Sequence, residues 1–563
     1  MNQQEHFRSQ PPPPLQPRPI LIPTPRETTL ANGLRVVVVD DSRLPLVSYR
    51  LAFRVGGAFD PPEIPGLTDL LAGLLPEGTE SRTSREIADE VARIGANLSA
   101  GANSDYTIIA ASALAQFNDP IMGLMAEVIL EPSFPENEVE LAKQNTKESL
   151  RQQRAQPSFL ASEMVSRVMF GDHPYSVVAP TPESIDRVSR DQFVRFHRAK
   201  LVPNNGVFIV VGDVRYDEIL NRIESLFSTW QRGEDVVANF PAPPVRTRRT
   251  AYLVDRPGSA QSNIVIANSG IIRTSPDYFP LLLMHTVLGA NASSRLFMNL
   301  REDKGYTYGA YSNLDARRTA GTFRATAEVR TPVTGDSLKE FFYELDRIRN
   351  ERVSDKEIAD AKSYLTGVFP IRLETQEGLT DQLVQIKMLN LPDDYLQNYR
   401  ERVNAVTGEE IQRVAQKYVQ TDKAALIVVG DGASVLDQMK PYAEDIEVYS
   451  TAGKRKSAQA SAATDPAGSW SIEVETPLGQ NIPATLTISR SESGYSGVIH
   501  SEMGDAELGT IEINNNSFHT TTSLEMDGHA VEAEVSGTFD GEHTEGFLKL
   551  PDSPELPFTG TKE

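Results

Sequence analysis

Phe208-Ile209-Val210-Val211-Gly212-Asp213 and Leu426-Ile427-Val428-Val429-Gly430-Asp431 are two copies of one phrase, 218 residues apart. Each is a short β-branched run closed by Gly-Asp, the pattern of a buried strand that ends in a turn. Upstream of each, a second phrase repeats at the same spacing: Val188-Ser189-Arg190-Asp191-Gln192-Phe193 and Val406-Thr407-Gly408-Glu409-Glu410-Ile411. Both hold a capping box, Ser189 with Gln192 and Thr407 with Glu410, which satisfies free amides where a helix begins. Two matches at one spacing mean a duplicated domain, since a solenoid unit would have a far shorter period.

Working outward, residues 46–55 alternate, with Val47, Tyr49, Leu51, Phe53 and Val55 against Ser48, Arg50 and Arg54. Residues 322–330 do the same, so both predict half-buried antiparallel strands, one from the earlier part of each half. In the second half Leu338, Phe341, Phe342, Leu345 and Ile348 fall at helical spacing, and Ser354 with Glu357 opens another helix. The matching first-half pair is 119–130 and 136–153, with Pro135 at an N1-like place. The fold class expected is α+β: two homologous domains of helices layered on mainly antiparallel sheets. The expected divisions are a Pro-rich arm at 1–23, domains at 24–231 and 251–450, and linkers at 232–250 and 451–468. A small all-β barrel or sandwich follows at 469–563, read from alternating runs at 470–475, 484–489, 495–500, 508–513 and 530–538.

Composition narrows the function. The 563 residues contain no cysteine, which excludes disulfides and thiolate metal sites. The net charge of −22 argues against nucleic-acid binding. Residues 469–563 carry 17 Asp and Glu against 3 Lys and Arg, so the acidity is mainly theirs and reads as a solvated surface. His500, His519, His529 and His543 read as surface histidines there. No apolar run reaches 18 residues, so no membrane-spanning helix is expected. The run Pro11–Pro14 near the start suits an extended arm left after removal of a leader; a processed, periplasmic or otherwise exported form is expected, cytoplasmic being the alternative.

Residues 66–79 read Gly-Leu-Thr-Asp-Leu-Leu-Ala-Gly-Leu-Leu-Pro-Glu-Gly-Thr. They keep the apolar frame of a metallopeptidase helix of the H-x-x-E-H type, in which two His bind zinc and the Glu activates water. The three chemical places hold Asp69, Ala72 and Gly73. Together with Thr29–Arg35, Phe170–Tyr175, Asp255–Ser262, Leu288–Leu296 and Leu300–Tyr308, this stretch makes the chain resemble the pitrilysin superfamily of zinc peptidases. That is the group of insulin-degrading enzyme and the mitochondrial processing peptidase, and the match runs over roughly residues 24–445.

The resemblance implies half of a peptidase clamshell. One half of the family's active unit carries zinc; the other lends an Arg and, seven residues later, a Tyr that bind peptide and stabilise the oxyanion. Here those residues are Arg301 and Tyr308. The third-ligand Glu falls near Glu148, with Ser149 an equal claimant to the place. No cofactor is therefore expected in this chain, zinc being expected in a homologous partner subunit. The chain would be inactive alone and would bind peptide for that partner. One rival is a homodimeric, peptide-holding scaffold. Another is a self-sufficient metallopeptidase rebuilt from isolated residues such as His173, His197 or His285. Ser293 and Ser294 read as shaping the loop into a helix.

Overall fold

The computed structural model describes residues 22–456 and 465–563, apart from 477–480, 492–493, 503, 515–516, 527–528, 552 and 554. Nearly all of the Pro-rich arm and the centre of the 451–468 linker lie outside the described residues.

The first domain runs β1 (Arg26–Thr29), β2 (Arg35–Asp40), β3 (Leu46–Phe53), α1 (Leu67–Leu74), α2 (Ser84–Arg93), β4 (Asn97–Ala102) and β5 (Thr107–Leu114). It continues with α3 (Asn118–Leu130), α4 (Glu136–Arg154), α5 (Pro157–Phe170), α6 (Pro182–Arg187), α7 (Arg190–Lys200), β6 (Gly206–Gly212) and α8 (Tyr216–Phe227). The second runs β7 (Thr250–Asp255), β8 (Gln261–Ser269), α9 (Tyr278–Gly289), α10 (Arg295–Phe297), β9 (Thr307–Ala316) and β10 (Gly321–Arg330). After these come α11 (Thr334–Asn350), α12 (Asp355–Leu373), α13 (Gln376–Met388), α14 (Tyr395–Ala405), α15 (Gly408–Tyr418), β11 (Ala425–Gly430), α16 (Gly432–Met439) and β12 (Ile446–Ser450).

The sheets have equivalent orders, β1-β2-β6-β3-β5-β4 and β12-β7-β11-β8-β10-β9. The repeated phrases form β6 and β11 at the centre of each sheet, and the repeated capping boxes open α7 and α15. Residues 46–55 and 322–330 both form strands but are not counterparts: β3 matches β8, and β10 matches β5. The outer edges are filled from opposite chain ends, β1 antiparallel to β2 and β12 parallel to β7. Pro135 takes the N-cap of α4, one place earlier than N1.

β3 is buried on both faces, so its expected polar face meets protein instead of water. The side carrying Val37, Val39, Ala52, Ile209 and Val211 is covered by Phe369, Leu379, Leu383 and Val384 of the second domain. Reciprocally, Leu160, Met164, Val165 and Met169 of α5 lie on Val254, Val265, Ile427 and Val429 of the second sheet. Each sheet is closed by a helix from the other half. Two arginines reach across that junction: Arg50 of β3 pairs with Asp381 at 2.9 Å, and Arg54, just past the strand, donates through one terminal nitrogen to the Lys387 carbonyl at 2.8 Å. The turns joining β4 to β5 and β9 to β10 also meet, the Arg318 amide donating to Asp105 at 3.2 Å.

Residues 230–249 form no helix or strand and are tied down along their length. The Arg246 and Arg249 side chains donate to the carbonyls of Lys423 and Thr421, at 3.0 and 2.6 Å.

The C-terminal part is a closed antiparallel barrel. Its strands are β13 (Gly468–Glu475), β14 (Asn481–Ser491), β15 (Gly494–Ser501), β16 (Gly504–Asn514), β17 (Ser517–Met526), β18 (His529–Asp540), β19 (His543–Lys549) and β20 (Leu556–Lys562). Each pairs with the next, and β20 closes on β13. β17, β19 and β20 escape the sequence reading because Thr520 and Thr522, Thr544 and Gly546, and Gly560 respectively interrupt their apolar alternation. The interior is packed by Trp470, Phe518, Phe539 and Phe558. Three of the barrel's carboxylates dock it on the body: Glu475 to Arg151 at 2.9 Å, Glu555 to Arg256 at 3.2 Å, and Glu545 to Lys456 at 3.4 Å.

A cavity at the reciprocal junction costs the lost transfer energy plus the void. Leu383→Ala is expected to cost about 2–5 kcal/mol in denaturant unfolding. A cost below about 1 kcal/mol would mean that α13 does not hold the first sheet.

Candidate functional site

α1 is the helix that retains the peptidase frame. Gly66 enters it at φ +92°, a left-handed value glycine adopts without strain. The Asp60 carboxylate then accepts hydrogen bonds from the amides of Gly66 and Thr68, at 2.8 and 3.0 Å, and caps the helix from outside. Leu67, Leu70, Leu71 and Leu74 bury the inner face, and Ala72 is buried with them. Asp69 and Gly73 lie on the outer face one turn apart, and a Cβ on Gly73 would meet nothing within 4 Å. Asp69 is exposed, and partial desolvation by its neighbours raises its pKa, opposed by a hydrogen bond from the Ala102 amide of β4.

These residues do not fit a catalytic zinc, which needs three protein ligands and an open position. Asp69 is the one donor among the three motif places. On α4, Glu148 is engaged by Arg151 and Gln152, both at 3.3 Å, and the Ser149 hydroxyl accepts from Gln153 at 3.0 Å. Among the described residues no group of three His, Cys, Asp or Glu could hold a metal. The body histidines are fixtures. His173 accepts from the Tyr175 amide and contacts the Thr319 hydroxyl, each at 3.1 Å. His197 is bonded to the Ile129 carbonyl at 2.8 Å and His285 to the Ser312 hydroxyl at 2.7 Å; burial lowers both pKa values to about 4. In the barrel His500, His519 and His543 are exposed, His500 pairing with Asp505, while the His529 side chain lies outside the described residues.

Arg301 and Tyr308 are placed by two local irregularities. Arg301 lies in a π-helical turn, Met298–Asp303, where one extra residue widens the coil and the Lys304 amide reaches back to the Asn299 carbonyl at 3.0 Å. Its guanidinium stacks on Phe297, 4.7 Å from the ring centroid, and its neighbour Glu302 is 3.5 Å away. The side chain remains 45 % exposed. Gly305, at φ +64°, follows the turn and leads toward β9.

β9 is an edge strand of the second sheet, at the end opposite β12. Its pairing with β10 slips between Ala310↔Ala327 and Thr307↔Val329, so one residue is extra at Tyr308–Gly309. The Thr307 hydroxyl closes this bulge, accepting from the Gly309 amide at 3.1 Å and donating to its carbonyl at 3.0 Å. Tyr308 is thrown outward and is 88 % exposed. A merely packed strand tyrosine is thereby excluded. Thr307, Gly309, Tyr311 and Phe297 were missed by the sequence reading. The signal was the dense run Tyr306-Thr307-Tyr308-Gly309-Ala310-Tyr311, where aromatics and a glycine interrupt strict alternation.

Other motif residues are structural. Arg295 is buried and forms a two-pronged pair with Glu357, at 2.7 and 3.0 Å, which locks α10 to the start of α12. Ser294 bonds back to the Asn291 carbonyl at 2.5 Å, shaping the loop that leads into α10. The Phe170–Tyr175 phrase anchors the domain junction, its Tyr175 hydroxyl on Asp105.

Comparison with known proteins agrees with this architecture. Residues 35–181 match the family described as Insulinase (Peptidase family M16), and residues 187–365 match the Peptidase M16 inactive domain. An uncharacterized zinc protease of Streptomyces coelicolor is 25 % identical over 414 residues, covering 73 % of this chain and 90 % of the relative. The uncharacterized zinc protease YmxG of Bacillus subtilis is 22 % identical over 408 residues, covering 72 % and 98 %. A crystal structure titled as a peptidase M16 inactive domain, from Pseudomonas fluorescens, superposes with a TM-score of 0.68 at 25 % identity, over 72 % of this chain and 98 % of that one. A Helicobacter pylori protease, 20 % identical, shares the fold at a TM-score of 0.67 over 72 % and 100 %. The barrel lies beyond both family matches.

The cap of α1 yields a pH test. Burial pushes the Asp60 pKa up to about 6, against the hydrogen bonds from Thr68 and Gly66 that favour the charged form. An unfolded aspartate titrates near 3.9, so the folded chain holds the proton more tightly and stability falls as pH rises from about 4 to about 6. D60N removes this term: wild type should lose about 2–3 kcal/mol relative to the variant between pH 4 and 7. A difference independent of pH, measured by denaturant unfolding, would refute the assignment.

Proposed function

Because this chain belongs to peptidase family M16, we propose that it is the non-catalytic, peptide-binding subunit of a two-chain zinc peptidase. The observation that carries this is a contrast within one chain. The motif places on α1 hold Asp69, Ala72 and Gly73, which cannot assemble a zinc site, while Arg301 and Tyr308 stand exposed and individually re-aimed. A packed protein does not ordinarily leave a strand tyrosine so uncovered.

The role follows from the donors. A guanidinium and a phenol present N–H and O–H groups to a carbonyl oxygen as it gains charge, and preorganised donors of this kind stabilise such an oxyanion. The free edge of β9 supplies amides and carbonyls with which an extended peptide can pair. A homologous partner would bring the metal and the general base. No helix among the described residues is long and apolar enough to cross a membrane. An exported, periplasmic location remains part of the proposal.

The test mixes this chain with a family M16 chain whose H-x-x-E-H motif is intact and follows peptide cleavage. Arg301→Ala should lower turnover by about 10²-fold, the scale of losing one oxyanion donor. Unchanged turnover refutes the role of Arg301, and chelator-sensitive cleavage by this chain alone refutes the division of labour.

A further inference from the structure

Tyr311 connects the two irregularities. Its ring turns back along β9 and lies over Gly309: a Cβ there would sit 2.6 Å from Cε2 and 2.8 Å from the hydroxyl oxygen of Tyr311. The same ring packs on Phe297, with centroids 5.7 Å apart and planes tilted by 52°. Phe297 in turn carries the Arg301 guanidinium on its face. A continuous stack therefore runs from the cation, through Phe297 and Tyr311, to the bulge that projects Tyr308.

We propose that Tyr311 is a positioning residue of the peptide site, and that Gly309 is glycine because Tyr311 needs the space above it. This rests on the peptide-binding reading given above and adds to it a residue outside the Arg–Tyr pair. Gly309 does not have the positive φ that would itself demand glycine. What alanine would violate is the contact with the ring. Displacing the ring loosens the support beneath Phe297, and with it the stack on which Arg301 rests. It also uncovers the bulge that Thr307 closes.

The stack defines a surface as well. Tyr311 and Met298 are each 43 % exposed, Tyr311 packing on the Phe297 ring that carries the Arg301 guanidinium and Met298 following Phe297 in the chain. An apolar shelf beside one cation suits an extended peptide with an aromatic or large aliphatic side chain, whose ring or chain lies on Tyr311 while its backbone follows β9.

The experiment measures fluorescence anisotropy of two fluorescein-labelled hexapeptides on the full chain. One alternates threonine with phenylalanine and the other threonine with alanine. Wild type should bind the phenylalanine peptide more tightly. G309A and Y311A should each weaken that binding by about 10-fold, about the worth of one aromatic contact, while Y311F stays within about 2-fold. Thermal melts should move little, because both sites are at the surface. G309A carries the test even if Y311A unfolds, since it keeps every ring. If G309A and Y311A bind like wild type while Arg301→Ala weakens binding, the positioning role of Tyr311 is overturned and the peptide site stands. If wild type binds neither peptide, the peptide site falls and this inference with it.

Discussion

The fold depends on a reciprocal exchange of cover between its two halves. A mainly antiparallel sheet with one apolar face can leave the other to water, but these sheets are apolar on both faces along their central strands. The second face of the first sheet is closed by α13, and that of the second sheet by α5. The two helices occupy equivalent places in the repeat, so one packing solution is used twice. It fixes the relative position of the domains, in which β4 and β9 are equivalent edge strands of the two sheets.

Against that rigid background the candidate site is made by small departures from regularity. A π turn widens the helix at Arg301, and a bulge adds a residue at Tyr308–Gly309. Each costs backbone hydrogen bonds that must be recovered locally. The Lys304 amide and the Thr307 hydroxyl recover them. α1 shows the opposite condition: a regular, well-capped helix from which the chemical side chains are gone. One half thus has a regular helix without reactive side chains, and the other has irregular backbone around Arg301 and Tyr308, the contrast from which the proposed role was drawn.

Much of this was legible in the sequence because it is written in periodicity. The repeated phrases at Phe208 and Leu426 revealed the duplication, and the capping boxes at Ser189, Ser354 and Thr407 marked where helices begin. The emptied motif was read directly from Asp69, Ala72 and Gly73. What the sequence concealed depends on long-range packing. Ser48 and Arg50 look like a solvent face, yet Arg50 is buried against Asp381 from a segment more than 300 residues away. β17, β19 and β20 were hidden because threonine and glycine replace aliphatic residues inside a small barrel. The bulge was hidden because strand register is a property of two strands, whereas alternation is a property of one.

The exchanged helices carry a consequence for how such a chain could arise. A solitary ancestral domain of this kind would have exposed a broad greasy sheet and an unattached helix, and it could hide both only by embracing a second copy of itself. Joining two such copies in one chain makes that embrace permanent and intramolecular. Two copies so joined can differ in their chemistry, because neither needs to be identical to the other in order to fold.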